Sequence, residues 1–175
     1  MKSYPTGTKF IAFVRSAAFG AVALSLPLSL GSFAASAANL SRSIEVSGAP
    51  AAVWSAIGAF CAIKDWLPPV GTCTEKEGLP PERTLVTRDG KATFVETLTA
   101  RSDVEHSYSY AFKSSPLPVT GYTSTIKVQA KTPGVSTVTW SSTYVPDPGK
   151  EQDAQEALTG IYDAGLATIK AKFAK

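Results

Sequence analysis

Histidine, cysteine and methionine are scarce in this chain of 175 residues, which has one His, two Cys and one Met. With His106 as the lone histidine and no C-x-x-C pair, the chain has neither the ligand spacing of a zinc site nor a dithiol redox motif, so no metal is expected. There is no Gly-rich phosphate loop, so nucleotide chemistry is disfavoured and no cofactor is expected. Acidic residues are missing entirely before Glu45, while Lys2, Lys9 and Arg15 fall in that stretch. The formal charge of +3 therefore belongs to the N-terminus, and residues beyond 38 hold 14 basic against 14 acidic side chains. A near-neutral remainder gives no reason to expect nucleic acid or an anionic membrane as partner.

The three early basic residues precede an apolar stretch, Ala17 to Leu30, and then the small-residue run Ala34-Ala35-Ser36-Ala37-Ala38. Basic, apolar, small is the order of a secretory signal. A membrane anchor is the alternative, but Pro27 and Gly31 interrupt the run and Ala35-x-Ala37 follows at once. Residues 1–38 are therefore expected to be a signal peptide cleaved before Ala38 or Asn39, and residues 39–175 a single domain exported to the periplasm. Beyond the signal nothing approaches the roughly 20 consecutive apolar residues of a spanning helix.

An oxidising compartment favours reading Cys61 and Cys73 as a disulfide whose loop holds Trp66, Pro68, Pro69 and Gly71. Two buried thiols are the alternative. A catalytic cysteine is disfavoured because no base lies nearby in sequence.

The periodicity of the mature chain orders its elements. Ser41 to Ser47 alternates like a strand, and Pro50 to Phe60 suits a short helix with Val53, Trp54, Ile57 and Phe60 on one side. A second short helical piece is expected from Ala62 to Trp66, ended by Pro68-Pro69. From Val70 to Val145 the period is two, with turn signals at Glu77-Gly78, Asp89-Gly90, Ser102-Asp103, Pro116 to Pro118 and Pro133-Gly134. That spacing predicts about six antiparallel strands. Glu151 to Phe173 reads as one long helix with Leu158, Ile161, Gly165, Leu166, Ile169 and Phe173 on its apolar side. The class is α+β, one amphipathic helix laid across a strongly bent antiparallel sheet.

Alternation also assigns the faces. The expected inner face carries Arg83, Leu85 and Thr87, then Phe94, Glu96 and Leu98, then His106, Tyr108, Tyr110 and Phe112. It continues with Tyr122, Ser124, Ile126 and Val128, and ends with Val138, Trp140, Ser142 and Tyr144. The opposite positions are mostly Thr, Ser and Lys, as a solvated face requires. Amphipathic aromatics with one acid and one base describe either a small-molecule pocket or a core whose polar groups satisfy one another. The candidate ligand-binding residues are Trp66, Arg83, Glu96, Tyr108, Tyr110, Tyr122, Trp140 and Tyr144. His106, beside a turn, reads as an ordinary partly exposed residue.

Certain motifs in this order resemble a known family. They are Val53-Trp54-Ser55-Ala56-Ile57-Gly58-Ala59-Phe60, Asp65-Trp66-Leu67-Pro68, Glu77-Gly78, Arg83-Thr84-Leu85, Asp89-Gly90, Glu96-Thr97-Leu98, Tyr108-Ser109-Tyr110, Pro116-Leu117-Pro118-Val119, Tyr122 and Val138-Thr139-Trp140. Together they are similar to the polyketide cyclase/dehydrase-like branch of the START superfamily, from about Ser41 to Ala174. The resemblance implies the helix-grip (Bet v 1-like) fold: a seven-stranded antiparallel sheet curved round a long C-terminal helix and enclosing a cavity for hydrophobic or aromatic ligands. Members that look like this include cyclases, dehydratases, receptors and lipid carriers, so function does not follow from fold. Among exported members, the chain is similar to the accessory proteins of methanol oxidation. Cys61 and Cys73 lie outside the general motif.

Three functions fit the sequence. One is a periplasmic binding or carrier protein for a small hydrophobic or aromatic molecule. Another is a cofactor-free cyclase, dehydratase or isomerase with Glu96 as acid or base, Arg83 polarising a carbonyl and Tyr108, Tyr110 or Tyr122 donating to an enolate. The third is an accessory protein that docks on a periplasmic redox enzyme.

Overall fold

The computed structural model describes residues 36–174, and residues 1–35 of the expected signal peptide lie outside the described residues. Strand β1 (Ala38–Ser47) leads into helix α1 (Pro50–Ile57) and a single 3-10 turn, η1 (Phe60–Asp65). Six strands follow: β2 (Val70–Lys76), β3 (Glu82–Thr87), β4 (Thr93–Ser102), β5 (Ser107–Ser114), β6 (Val119–Thr132) and β7 (Val135–Pro146). Helix α2 (Glu151–Lys172) ends the fold. All neighbours pair antiparallel, in the order β1-β7-β6-β5-β4-β3-β2.

The expected elements are all present, with shifts at their ends. β1 begins three residues earlier than its alternation indicated, because Ala38, Asn39 and Leu40 continue the ladder opposite Tyr144, Thr143 and Ser142. The second helical piece starts at Phe60 rather than Ala62 and is 3-10, and α2 stops one residue short of Phe173. The Asp89-Gly90 turn forms because Gly90 takes φ +71°, while Asp89 Oδ1 accepts from Thr87 Oγ1 at 2.6 Å and from the Lys91 amide at 3.1 Å.

Burial follows the period-two bookkeeping. On β7, Ser136, Val138, Trp140, Ser142 and Tyr144 are buried, and β6 buries Tyr122, Ser124, Ile126 and Val128. α2 packs its Ala154, Leu158, Tyr162, Leu166 and Ile169 stripe toward β1 and β7. At the near edge of the sheet, Arg42 of β1 holds Asp163 of α2 through two hydrogen bonds of 2.8 and 2.7 Å. At the other edge, η1 packs on β2 and β3. A Cys61–Cys73 disulfide ties η1 to the edge strand β2, with Cα atoms 5.6 Å apart.

Helix and sheet approach most closely at Gly165. A Cβ there would lie 2.9 Å from the Trp140 ring, 3.2 Å from the Trp66 ring and 3.2 Å from Leu67, whereas at Gly160 it would meet nothing within 4 Å. These two glycines of one helix therefore respond oppositely to alanine. Gly160→Ala is expected to raise stability by about 0.5–1 kcal/mol through helix propensity. Gly165→Ala gains the same propensity but forces overpacking of about 1–3 kcal/mol against two indoles, so its urea midpoint falls below wild type. A Gly165→Ala protein as stable as Gly160→Ala would show that the contact is not tight.

The disulfide yields a second expectation. Its closure of a 12-residue separation stabilises by roughly 3 kcal/mol in the chain-entropy treatment. Cys73→Ser, or reduction of the wild type, should lower the urea midpoint accordingly. Thiol titration of the unfolded, unreduced protein should find no free thiol, and two would disprove the bridge.

Candidate functional site

Because α2 sits toward β1 and β7, its N-terminal half stands off from β3, β4 and β5, and a cavity of about 170 Å³ lies between them. Ile63, Leu67, Pro69, Val70, Leu85, Phe94, Phe112, Leu158 and Ile161 form its apolar wall, with Thr87, Glu96, Tyr110, Tyr122 and Trp140. Pro69 is exposed, and Thr87, Phe94, Phe112 and Ile161 are half-buried, so this group forms the mouth.

Glu96 is brought here by register. Arg83 and Glu96 are direct cross-strand partners on β3 and β4, both facing inward and buried. Arg83 Nε donates to Glu96 Oε2 at 2.5 Å, and Nη1 donates to the Phe60 carbonyl of η1. The guanidinium carbon lies 4.1 Å from the centre of the Phe60 ring and 4.9 Å from that of Tyr110. Two charges removed from water require this pairing, and the aromatic faces assist the cation. Burial pushes the Glu96 carboxyl up from its ordinary 4.5, against the pull of the Arg83 charge and hydrogen bond. For Arg83 burial acts downward, but Tyr108, Glu96 and Tyr110 outweigh it, and the guanidinium stays charged.

A second polar cluster lies deeper. Trp140 Nε1 donates to Ser124 Oγ at 2.9 Å and to Tyr110 Oη at 3.1 Å. Tyr162 Oη bonds Tyr122 Oη at 2.7 Å and Ser124 Oγ at 3.0 Å. The Tyr162 ring stacks on Trp140 at 4.1 Å, and Phe112 stacks on Tyr122 at 3.8 Å. Burial raises the Tyr110, Tyr122 and Tyr162 hydroxyls, so all three remain protonated. With these groups engaged by one another, the second cluster acts as a rigid polar floor.

Of the eight candidates, Glu96, Tyr110, Tyr122 and Trp140 line the cavity. Trp66, Arg83, Tyr108 and Tyr144 are buried in the surrounding core without lining it. Trp66 meets Trp140 edge-on at 5.3 Å, and Arg83 lies behind Glu96. Tyr108 Oη and Arg83 Nη2 have no well-formed hydrogen bond among the described residues, although the Arg83 charge acts on the phenol. His106 closes the turn before β5 at φ +46°, half-buried and 6.2 Å from the Trp54 ring centre. Residue-type reasoning missed Tyr162, yet it sits four residues from both Leu158 and Leu166 on the apolar stripe. It also passed over the aliphatic wall, since Ile63, Leu67 and Val70 carry no chemical signal.

The chain belongs to the polyketide cyclase/dehydrase and lipid transport family, which it matches over residues 37–174. Among solved structures it is similar to the protein XoxI from Bacillus cereus, at 36% identity over 78% of this chain and 95% of that one, with a TM-score of 0.73. The Zhui aromatase/cyclase from Streptomyces sp. R1128 shares the fold at 12% identity, 78% and 93% coverage and a TM-score of 0.64. Truncated norcoclaurine synthase from Thalictrum flavum does so at 16% identity, 77% and 92% coverage and 0.63. No curated protein matches the chain. Among the described residues no group of three or more His, Cys, Asp or Glu could hold a metal ion, and no helix is long and apolar enough to cross a membrane.

The buried pair leads to a mutational expectation. Arg83→Met leaves Glu96 without its partner in an apolar wall and should cost about 3–5 kcal/mol, while Arg83→Met combined with Glu96→Leu should recover most of that, keeping only the cost of about 1–3 kcal/mol of a Phe60 carbonyl without its donor. Urea unfolding of the single and double variants checks this. Equal losses in both would mean that the pair's packing, not its charge, matters.

Proposed function

We propose that the protein is exported and works in the periplasm as a binding or carrier protein for a small hydrophobic or aromatic molecule. The observation that supports this most is the cavity itself: an apolar chamber with a mouth between β3, β4, β5 and α2, holding one carboxylate in its wall. Its volume limits the cargo. About 170 Å³ is close to the roughly 150 Å³ cavity that admits benzene, and well under the roughly 300–1,000 Å³ of drug-sized sites. The ligand is therefore of single-ring size, and an acyl chain or a fused polycyclic skeleton is too large for this chamber.

A second reading, a cofactor-free cyclase, dehydratase or isomerase, is supported by the position of Glu96. A carboxyl with a raised pKa at the wall of a ligand cavity suits proton transfer. A third reading, in which the protein accompanies a periplasmic redox enzyme, rests on the motif resemblance and uses the surface of the protein, not its cavity.

Native mass spectrometry of protein purified from its own periplasm separates these. A carrier is expected to arrive with a single-ring molecule bound, and Ile161→Trp, which fills the mouth without touching the buried pair, should arrive empty. Wild type that is always empty would overturn the carrier. If the bound molecule is converted, Glu96→Gln should abolish turnover and keep binding, and a co-purifying dehydrogenase lost on surface substitution would favour the accessory reading.

A further inference from the structure

The polar side chains at the cavity wall differ in what they leave free. Trp140 donates its indole proton to Ser124 and Tyr110, and Tyr122 is engaged with Tyr162. Glu96 is different. Its Oε2 takes Arg83 Nε, while no hydrogen bond engages its Oε1 among the described residues. With Glu96 lining the cavity, that space is where Oε1 finds a partner.

Charge narrows the choice further. Arg83 gives Nε to Glu96 Oε2 and Nη1 to the Phe60 carbonyl, and its remaining Nη2, without a hydrogen bond, is sealed in the core and does not line the cavity. The chamber therefore presents an acceptor and no free cation. A ligand carboxylate would face Glu96 with nothing to neutralise it, and a ligand ammonium would be desolvated beside a carboxylate already neutralised by Arg83. A neutral donor, O–H or N–H, incurs neither cost and completes the coordination of Oε1 with a charge-assisted hydrogen bond.

Resting on the carrier reading, we infer that the ligand is a neutral single-ring molecule carrying one hydroxyl or N–H group, bound with its ring against the Phe94, Phe112 and Leu158 wall and its donor on Glu96 Oε1. A phenol or a pyrrole fits this description; benzoate does not.

The test uses the full mature protein with its disulfide intact and four probes: phenol, anisole, toluene and benzoate. Dissociation constants come from amide chemical-shift titrations. Because phenol is better hydrated than toluene, the informative quantity is the phenol-to-toluene preference compared between wild type and the Arg83→Met, Glu96→Leu double variant, which keeps the cavity but removes the acceptor. The preference for phenol is expected to fall by about tenfold, as the loss of a hydrogen bond to a charged group implies. A fall of less than about threefold overturns the inference. Should the double variant not fold, wild type decides alone: phenol binding more tightly than both anisole and benzoate upholds the inference, and any other order overturns it. Toluene separates the two levels of argument. Toluene bound without the phenol effect leaves the cavity reading standing and removes the donor. If none of the four probes shifts the cavity residues, the carrier reading itself fails.

Discussion

The Arg83–Glu96 pair constrains more of this molecule than any other contact. Its members face each other across β3 and β4, so a one-residue slip of either strand would turn one charge to the solvated face and leave the other buried alone. The same guanidinium reaches the Phe60 carbonyl and lies over the Phe60 ring, which fixes η1 against the sheet. Through η1 the constraint passes to Cys61 and the disulfide, and so to β2. The edge strand, the 3-10 turn and the centre of the concave face are thereby located by one buried cation. A pair so deeply desolvated is weak evidence for stability, because apolar residues of similar volume could replace it. What the pair contributes here is register, since it places Glu96 at the cavity wall.

The position of α2 decides where space is left over. Gly165 lets the helix touch Trp140 and Trp66, and Tyr162 lies flat on Trp140 one turn earlier. That contact, with the Arg42–Asp163 fork, holds the helix toward β1 and β7. Further toward its N-terminus, Leu158 and Ile161 line the cavity opposite Leu85 of β3 and Phe94 of β4. Close packing at one end of the helix and a chamber at the other are two results of the same seating.

How far the sequence disclosed this depended on the physics involved. Alternation placed Arg83, Glu96, Tyr108, Tyr110, Tyr122 and Trp140 on one face correctly, because a sheet solvated on its other side has a period of two that admits no slip. Element ends were less legible. β1 extends to Ala38 through pairing with Tyr144, and although Ala38-Asn39-Leu40 alternates, Ala38 also closes the small-residue run that reads as an export signal. The cavity was the least legible feature. Tyr108 and Tyr110 are identical in type and adjacent on the same face, yet Tyr110 lines the chamber and Tyr108 is sealed behind Phe60 and Arg83. That distinction depends on where η1 and α2 come to rest, a long-range result that no local pattern encodes.

The family spans carriers and enzymes because its fold supplies a helix, a curved sheet and a gap whose size each sequence sets independently. In this chain the gap is filled from several directions: Trp66 and Trp140 cross edge-on, Phe112 stacks on Tyr122, and Leu67 and Val70 close the side under η1. Each large side chain is held by neighbours in direct contact, so enlarging the chamber for a polycyclic or acyl ligand would mean displacing stacked aromatics rather than rotating one residue. Interiors packed in this way yield in discrete steps. The polar floor of Ser124, Tyr110, Tyr122 and Tyr162 resists further, since moving Ser124 or Tyr162 breaks two buried hydrogen bonds at once. The small volume is therefore a built property of the chain, set by side chains that hold one another in place.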